Sequence, residues 1–199
     1  MTDGHLGRLL AASLHQAIAD ELPQRLEFYE HWLHAEGLRD GSIGLAPMSA
    51  VIGFLRTEGD AYERVVTRAG SLSAEWGLSA RPALGTQTLR RLPEMFRLRG
   101  ALRVADSIAR SASPQSPLVR RTSGLLARVQ VTDSLFCAAR GPHASPLCGF
   151  YRALIGRTLE LCGVTAIARF ESCRAVDGSG CVVVVEIGPA VAAGEKASA

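Results

Sequence analysis

The sequence lacks any apolar run that approaches the length of a membrane-spanning helix, which is about 20 residues. It also lacks an N-terminal basic region followed by an apolar core, so no secretory signal is expected. These two absences predict a cytoplasmic protein without a membrane span. Five cysteines, an odd number, in a chain without an export signal favour thiols or metal ligands over a set of disulfides.

Lysine is almost absent, and aromatic residues make up only 6% of the chain. Of the 22 basic residues, Lys196 is the single lysine, and the arginines are scattered through the sequence. Nucleic-acid binding favours a clustered basic face with aromatic side chains, so no nucleic-acid partner is predicted. With 47% hydrophobic residues in 199, the chain can bury an ordinary globular core.

Helical periodicity dominates the N-terminal half. Apolar side chains recur every four positions along the first helix, at Leu6, Leu10, Leu14, Ile18 and Leu22. Further helices are predicted over residues 24–36, 47–58, 61–76 and 86–112, the last with a break at Pro93. A serine- and proline-rich segment, 111–117, then marks the clearest boundary in the chain.

Beyond this segment the periodicity changes to that of strands. Strands are predicted over 118–121, 125–132, 164–175 and 181–187, with a helix over 146–162. The valine run 182–185 predicts a strand that is covered on both faces. The order of elements predicts an α+β fold in which helices flank an antiparallel sheet. The predicted division is a helical region (1–85), an α+β domain (86–191) and a disordered tail (192–199).

Cysteines and a glutamate recur near the C-terminal end at spacings that suit a metal site. Alternate residues of a strand share a face, so Glu171 and Cys173 are expected to point the same way. A glycine-containing turn can bring Cys181 opposite Cys173. Cys148 begins a helix, where the helix dipole stabilises a thiolate. Three thiolates and a carboxylate could therefore surround one tetrahedral zinc ion.

Other interpretations of these residues stay open at this point. Buried cysteines are often small hydrophobic residues, and Cys137 and Cys162 are assigned to the core on that ground. His143 is an alternative fourth ligand. It is also the only local base for a nucleophilic Cys148. Because metal binding explains Cys148 together with Cys173 and Cys181 more economically, no catalytic residue is assigned.

Two further patterns are assigned no function. Glu27 and His31, and likewise Glu30 and His34, are four residues apart, as in carboxylate-bridged metal bundles. Because no second helix carries the same pattern, a solvated charged face is favoured. The segment 177–180 lacks the strand, loop and helix order of a phosphate site, so a hairpin turn is favoured there.

The C-terminal half resembles the 4-vinyl reductase domain family, which is related to the TRAPP subunits of vesicle tethering. The resemblance rests on the segments 146–151, 171–175 and 177–178 and on Cys181, and it extends over about residues 86 to 188. The stretch 62–74 is similar in style to bacterial proteins associated with bacteriochlorophyll 4-vinyl reduction.

This resemblance implies a domain, often dimeric, that binds a hydrophobic, aromatic or tetrapyrrole ligand between helices and sheet. Related domains sense aromatic compounds ahead of bacterial transcription activators, and they hold zinc through cysteines and a glutamate. The matching residues here are Cys148, Cys173 and Cys181. The family glutamate precedes the cysteine by three positions, where this chain has Phe170. Glu171 is the expected fourth ligand if a strand bulge repairs the offset.

The function expected from these observations is binding of a small molecule by a protein with a structural zinc site, linked to tetrapyrrole synthesis or to ligand sensing. One alternative is a TRAPP-like scaffold dimer that uses no ligand. Another is a component of a vinyl reductase. The sequence carries no nicotinamide or flavin fingerprint, so such a component would take its reductant from a partner.

Overall fold

The computed structural model of the protein describes residues 7–33, 44–80, 89–138 and 141–188. The helices are α1 (Arg8–Glu21), α2 (Leu26–Leu33), α3 (Leu45–Arg56), α4 (Asp60–Ser79), α5 (Glu94–Ala112), α6 (Gly149–Leu161) and the one-turn α7 (Arg174–Asp177). The strands are β1 (Leu118–Ser123), β2 (Leu126–Val131), β3 (Ala166–Ser172) and β4 (Cys181–Ile187). Short 3₁₀ turns cover Pro23–Arg25 and Leu135–Cys137. No helix in these ranges is both long and apolar enough to cross a bilayer.

The helices follow the apolar periodicity of the sequence. α5 begins directly after Pro93, which confirms the predicted break, because proline suits a helix start and cannot continue an existing helix. α3 begins two residues before Pro47 and keeps Met48, Val51, Ile52 and Leu55 buried. Parts of three expected elements lie outside the described residues: 34–36, 86–88 and the tail 192–199.

The core is continuous from the N-terminal helices to the sheet. α4 packs against α1 on one side and against α6 on the other, and α5 also contacts α6. The α4–α6 contact is close at Gly70, where an added Cβ would lie 2.2 Å from the carbonyl oxygen of Phe150. The predicted boundary at residue 85 falls within 81–88, outside the described residues, so the division into two regions stays a prediction.

The four strands form one antiparallel sheet in the order β1-β2-β4-β3. β1 and β2 form the expected hairpin, in which Ser123 pairs with Leu126 and Gly124 takes the positive φ of +59° that the tight turn requires. Helices and an antiparallel sheet together confirm the α+β class.

Among the described residues, one face of the sheet is buried against helices. α5 contacts β1 and α6 contacts β3. Along β4, Val183 and Val185 are buried, whereas Val182 and Val184 are half-buried. The expectation that this strand is covered on both faces is therefore wrong, because the valine run reflects an interior position in the sheet and not a second layer of helices.

The end of β3 departs from the predicted strand. Phe170 pairs with Val183 and Ser172 pairs with Val182, so Glu171 is an extra residue in a β-bulge. The strand then ends at Ser172, and α7 replaces the predicted last residues of the strand. Gly178, with a φ of +74°, ends this helical turn.

Candidate metal centre

Four cysteine side chains meet at one buried point. The Sγ atoms of Cys137, Cys148, Cys173 and Cys181 all lie within 4.8 Å of one another. The Cys173 Sγ is 3.4 Å from those of both Cys137 and Cys148, and the Cys181 Sγ is 3.3 Å from that of Cys137. Across the described ranges, no other group of histidine, cysteine, aspartate or glutamate side chains has this arrangement. We call these four residues the cysteine cluster.

Each cysteine comes from a different point where a regular element begins or ends. Cys137 closes the 3₁₀ turn that follows β2, and Cys148 immediately precedes α6. Cys173 lies between β3 and α7, and Cys181 is the first residue of β4. Val131, the last residue of β2, pairs with Cys181, the first residue of β4. The chain therefore leaves β2 at the same end of the sheet at which Cys181 lies. The cluster therefore joins segments 44 residues apart in sequence.

The sulfur spacing fits a single tetrahedral metal ion. With a Zn–S bond of about 2.3 Å, the sulfur atoms of a zinc tetrathiolate lie about 3.8 Å apart. The closest contacts here, 3.3–3.4 Å, and the upper limit of 4.8 Å lie on either side of that value. The sulfurs are too far apart for a disulfide, whose S–S bond is about 2.05 Å, and all four thiols are unpaired.

The thiols of the cluster interact strongly with one another. Hydrogen bonds with Cys137 and Cys148 hold the pKa of Cys181 well below its usual range. Hydrogen bonds with Cys137 and Cys181, together with burial, raise the pKa of Cys148. The cluster thus favours a thiolate at Cys181 that its neighbours stabilise. Because metal ligation requires thiolates, binding of an ion by all four sulfurs would release the remaining protons.

Side chains from the N-terminal helices hold two of the cysteine segments. The Arg56 guanidinium donates to the carbonyl of Phe136 at 2.8 Å and to that of Ala138 at 3.2 Å, on either side of Cys137. The buried Tyr62 hydroxyl donates to the Leu147 carbonyl at 2.7 Å, next to Cys148. Burial raises the pKa of Tyr62, so the hydroxyl keeps the proton that it donates.

The structure brings together three of the four predicted ligands, and Glu171 lies elsewhere. Its carboxylate accepts hydrogen bonds of 2.9 Å from both Nε and Nη2 of Arg128 on the exposed face of the sheet. This corrects the expectation that Glu171 and Cys173 share a face. The bulge at Glu171 interrupts the period of two, so the next inward-facing residue is Cys173. Cys137 supplies the fourth sulfur.

Cys137 was assigned to the core, and it is indeed buried, at 4% exposure. Its place in the cluster depends on the pairing of β2 with β4, which no local motif reveals. Cys162 is also buried, at 0% exposure, but lies outside the cluster at the end of α6. The His143 side chain does not belong to the cluster, whereas its backbone N–H donates to the Ala175 carbonyl at 2.7 Å.

The other polar patterns form local surface contacts. Glu30 pairs with the His15 ring at 3.0 Å, across α1 and α2, and His34 lies outside the described residues. Asp177 accepts hydrogen bonds from the backbone and hydroxyl of Ser179, and these lower the pKa of its carboxyl. As far as their residues are described, neither arrangement resembles a di-iron or phosphate site.

A cleft borders the cysteine cluster. It has a volume of about 610 Å³ and is lined by Cys137, Ala138, Gly141 and Pro142 on one side and by residues 174–178 on the other. Small-molecule sites commonly have volumes of about 300–1,000 Å³. The cleft is therefore large enough for a small organic ligand.

Comparison with family models finds no match, and comparison with curated proteins finds none either. Among solved structures, the chain is similar to the phenol-responsive sensory domain of the transcription activator PoxR, in a crystal structure with phenol. The sequences are 16% identical, the TM-score is 0.47, and the match covers 72% of this chain and 74% of that one. At this level the similarity carries no argument about function, and membership of the 4-vinyl reductase family stays a prediction.

Proposed function

We propose that the protein is a small-molecule-binding domain whose sheet and helix α6 are held together by a structural zinc ion bound to the cysteine cluster. The observation that carries this proposal is the convergence of four buried Sγ atoms within 4.8 Å of one another. Four protein ligands leave no open position for a water molecule, so the role proposed for the metal is structural and not catalytic.

Zinc fits this site better than the other metals that thiolates select. Soft sulfur ligands favour zinc, copper(I) or iron–sulfur clusters. A multi-iron cluster holds its cysteine sulfurs around several metal atoms, whereas the spacing here suits one ion. Zinc also prefers four-coordinate tetrahedral geometry in structural sites.

Metal analysis of the protein purified without added chelator tests the metal centre. We expect about one zinc per chain, because the four sulfurs form one tetrahedral set. Removal of the metal by a strong chelator should lower the melting temperature, and added zinc should restore it. Absence of stoichiometric metal, together with an unchanged melting temperature after chelation, would refute the proposal.

The cleft beside the cluster supports a hydrophobic, aromatic or tetrapyrrole ligand, in agreement with the resemblance of the C-terminal half to the 4-vinyl reductase domain. Cys137 lines this cleft, and α7, which follows Cys173, forms another wall. A ligand in the cleft would therefore contact the same segments that hold the metal. Such a site suits ligand sensing or a step of tetrapyrrole synthesis, with a cytoplasmic location that cell fractionation would check.

Ligand binding can be tested directly. The protein purified from a heterologous host should retain or take up aromatic compounds or porphyrins, as detected by absorbance and mass spectrometry. Arg174 lines the cleft, so Arg174→Gln tests its contribution to binding. Arg121 lies outside the cleft, and Arg121→Gln is the matched control. Saturable binding that Arg174→Gln alone weakens supports the proposal. Failure of phenol and of protoporphyrin to bind the metal-loaded protein counts against it.

A specific observation favours a dimeric scaffold as the second candidate. Phe28, Trp32 and Phe54 form an exposed aromatic patch on α2 and α3, with ring centroids 5.3 and 5.4 Å apart. The three residues are 36–39% exposed. Exposed apolar groups of this kind often mark protein contacts. A homodimer by light scattering that Phe54→Ser dissociates, with no ligand bound, would favour this candidate.

A further inference from the structure

A small basic crevice lies between helix α5 and the edge strand β1. It is lined by Arg99, Leu102 and Arg103 from the helix and by Arg120 and Thr122 from the strand, and its volume is about 200 Å³. Strand residues 120 and 122 share one face with the buried Leu118. Three arginine side chains therefore line one small space.

The positive charge in this basic crevice is incompletely balanced. Within the described ranges, neither Arg99 nor Arg103 forms an ion pair, and both are exposed. Arg120 has one carboxylate near it, Asp106, at 3.8 Å. That carboxylate already accepts hydrogen bonds from Arg110 at 3.2 Å and from the Leu118 backbone at 2.9 Å. One negative charge is thus shared among several donors.

The Arg120 side chain also carries an unsatisfied donor. Its Nη1 atom is buried and has no hydrogen-bond partner among the described residues. Buried donors in native proteins are nearly always paired, and a water molecule or a bound anion would supply the acceptor that this one lacks. The acceptor must be small, since the crevice is below the 300–1,000 Å³ that is common for sites of drug-sized ligands.

We propose that this basic crevice binds a phosphate group, either as inorganic phosphate or as the phosphate of a small monoester. A guanidinium presents its N–H donors in a fixed fork that matches the oxygens of phosphate, and three arginine side chains line this crevice. The Thr122 hydroxyl adds a donor that can rotate to the bound oxygen. Leu102 supplies an apolar wall for the carbon part of a monoester.

This site is independent of the proposed metal and ligand sites. It shares no residue with the cysteine cluster or with the cleft beside it. The basic crevice lies at the β1 edge of the sheet, whereas the cluster includes the ends of β3 and β4, with β2 between. Loss of zinc binding in a variant would therefore leave the phosphate proposal untouched.

The test is a calorimetric titration of the full chain with inorganic phosphate at constant ionic strength, with chloride as the balancing anion. We expect saturable binding that Arg99→Gln and Arg103→Gln each weaken by about tenfold or more, a change of about 1.4 kcal/mol. Both side chains are exposed, so the variants should melt as the wild type does. Arg121→Gln is the matched control, because it removes the same charge from the opposite face of β1.

Two further titrations identify the ligand. Acetate should bind much more weakly than phosphate, since it has fewer oxygens to engage three guanidinium groups. Glycerol 3-phosphate that binds more tightly than phosphate identifies a monoester site, and weaker binding identifies a site for the free ion. The proposal is overturned if phosphate fails to saturate, if acetate binds equally well, or if Arg121→Gln weakens binding as much as Arg103→Gln.

Discussion

Replacement of Cys137 by serine distinguishes two hypotheses about the fourth metal ligand. The structure indicates Cys137, whereas strand periodicity in the sequence predicts Glu171. If Cys137 is the fourth ligand, Cys137→Ser should lose zinc and stability together. If Glu171 were the fourth ligand, Glu171→Gln should have that effect instead. The structure favours the first outcome, because the Cys137 Sγ lies 3.3 and 3.4 Å from two other sulfurs, whereas the Glu171 carboxylate is bound to Arg128.

The size of the effect follows from two contributions. A buried hydroxyl without a partner costs about 1–3 kcal/mol, and this cost arises wherever a buried cysteine becomes serine. Cys162→Ser measures this contribution alone, because Cys162 is equally buried but outside the cluster. A hundredfold loss of metal affinity at saturating zinc removes about 2.7 kcal/mol more. For a protein of this size, Cys137→Ser should therefore melt about 5–11 °C below Cys162→Ser.

Calorimetry with excess zinc, and metal analysis after dialysis, measure both consequences. Cys162→Ser and Glu171→Gln should retain zinc at the wild-type level, and Cys137→Ser should not. Without zinc, Cys137→Ser and Cys162→Ser should melt at similar temperatures, because only the hydroxyl cost remains. The reasoning is refuted if Cys137→Ser keeps its zinc. It is also refuted if Cys137→Ser still melts below Cys162→Ser by the same interval when no metal is present.

Four further variants test the packing and the supports of the site. Gly70→Ala should destabilise by about 1–3 kcal/mol in urea unfolding, because the new methyl group meets the α6 backbone. Gly53→Ala, with open space around it, should instead stabilise by about 0.5–1 kcal/mol, and equal effects would contradict the α4–α6 packing. Tyr62→Phe should cost about 1–2 kcal/mol at pH 7. Since folding raises the pKa of Tyr62, the stability that its hydroxyl contributes is present below about pH 10 and decreases as the pH rises further. Tyr62→Phe should therefore cost less stability at about pH 11 than at pH 7. Arg56→Gln should weaken zinc binding about 10–100-fold in a chelator competition, because the carbonyls beside Cys137 lose their donor, and an unchanged affinity would exclude this support.

Much of the fold could be predicted from local signals. Apolar residues at helical spacing indicated the helices, Pro93 indicated where α5 begins, and the glycine at position 124 indicated the β1–β2 hairpin. These signals act within a few residues, so they survive in a single sequence. The prediction failed for β4, since an interior strand with one half-buried face can carry the same valine run as a strand buried on both faces.

The sequence predicted those cysteines of the candidate site whose positions follow from the residues directly around them. Cys148 at a helix start and Cys181 at a strand start follow from local pattern, and the structure places both in the cluster. The placement of Glu171 depends on a bulge, which shifts every following side chain to the other face without changing composition.

Cys137 shows a limit of another kind, because its partners are set by tertiary contacts. Its turn reaches the other sulfurs only because β2 pairs with β4, and because Arg56 from α3 binds the carbonyls on both sides of it. Arg56 and Tyr62 connect the segments around two of the four sulfurs to α3 and α4. The metal proposed for the cluster would therefore stabilise the contact between the two halves of the chain. Removal of the metal should destabilise α3 and α4 as well as the sheet.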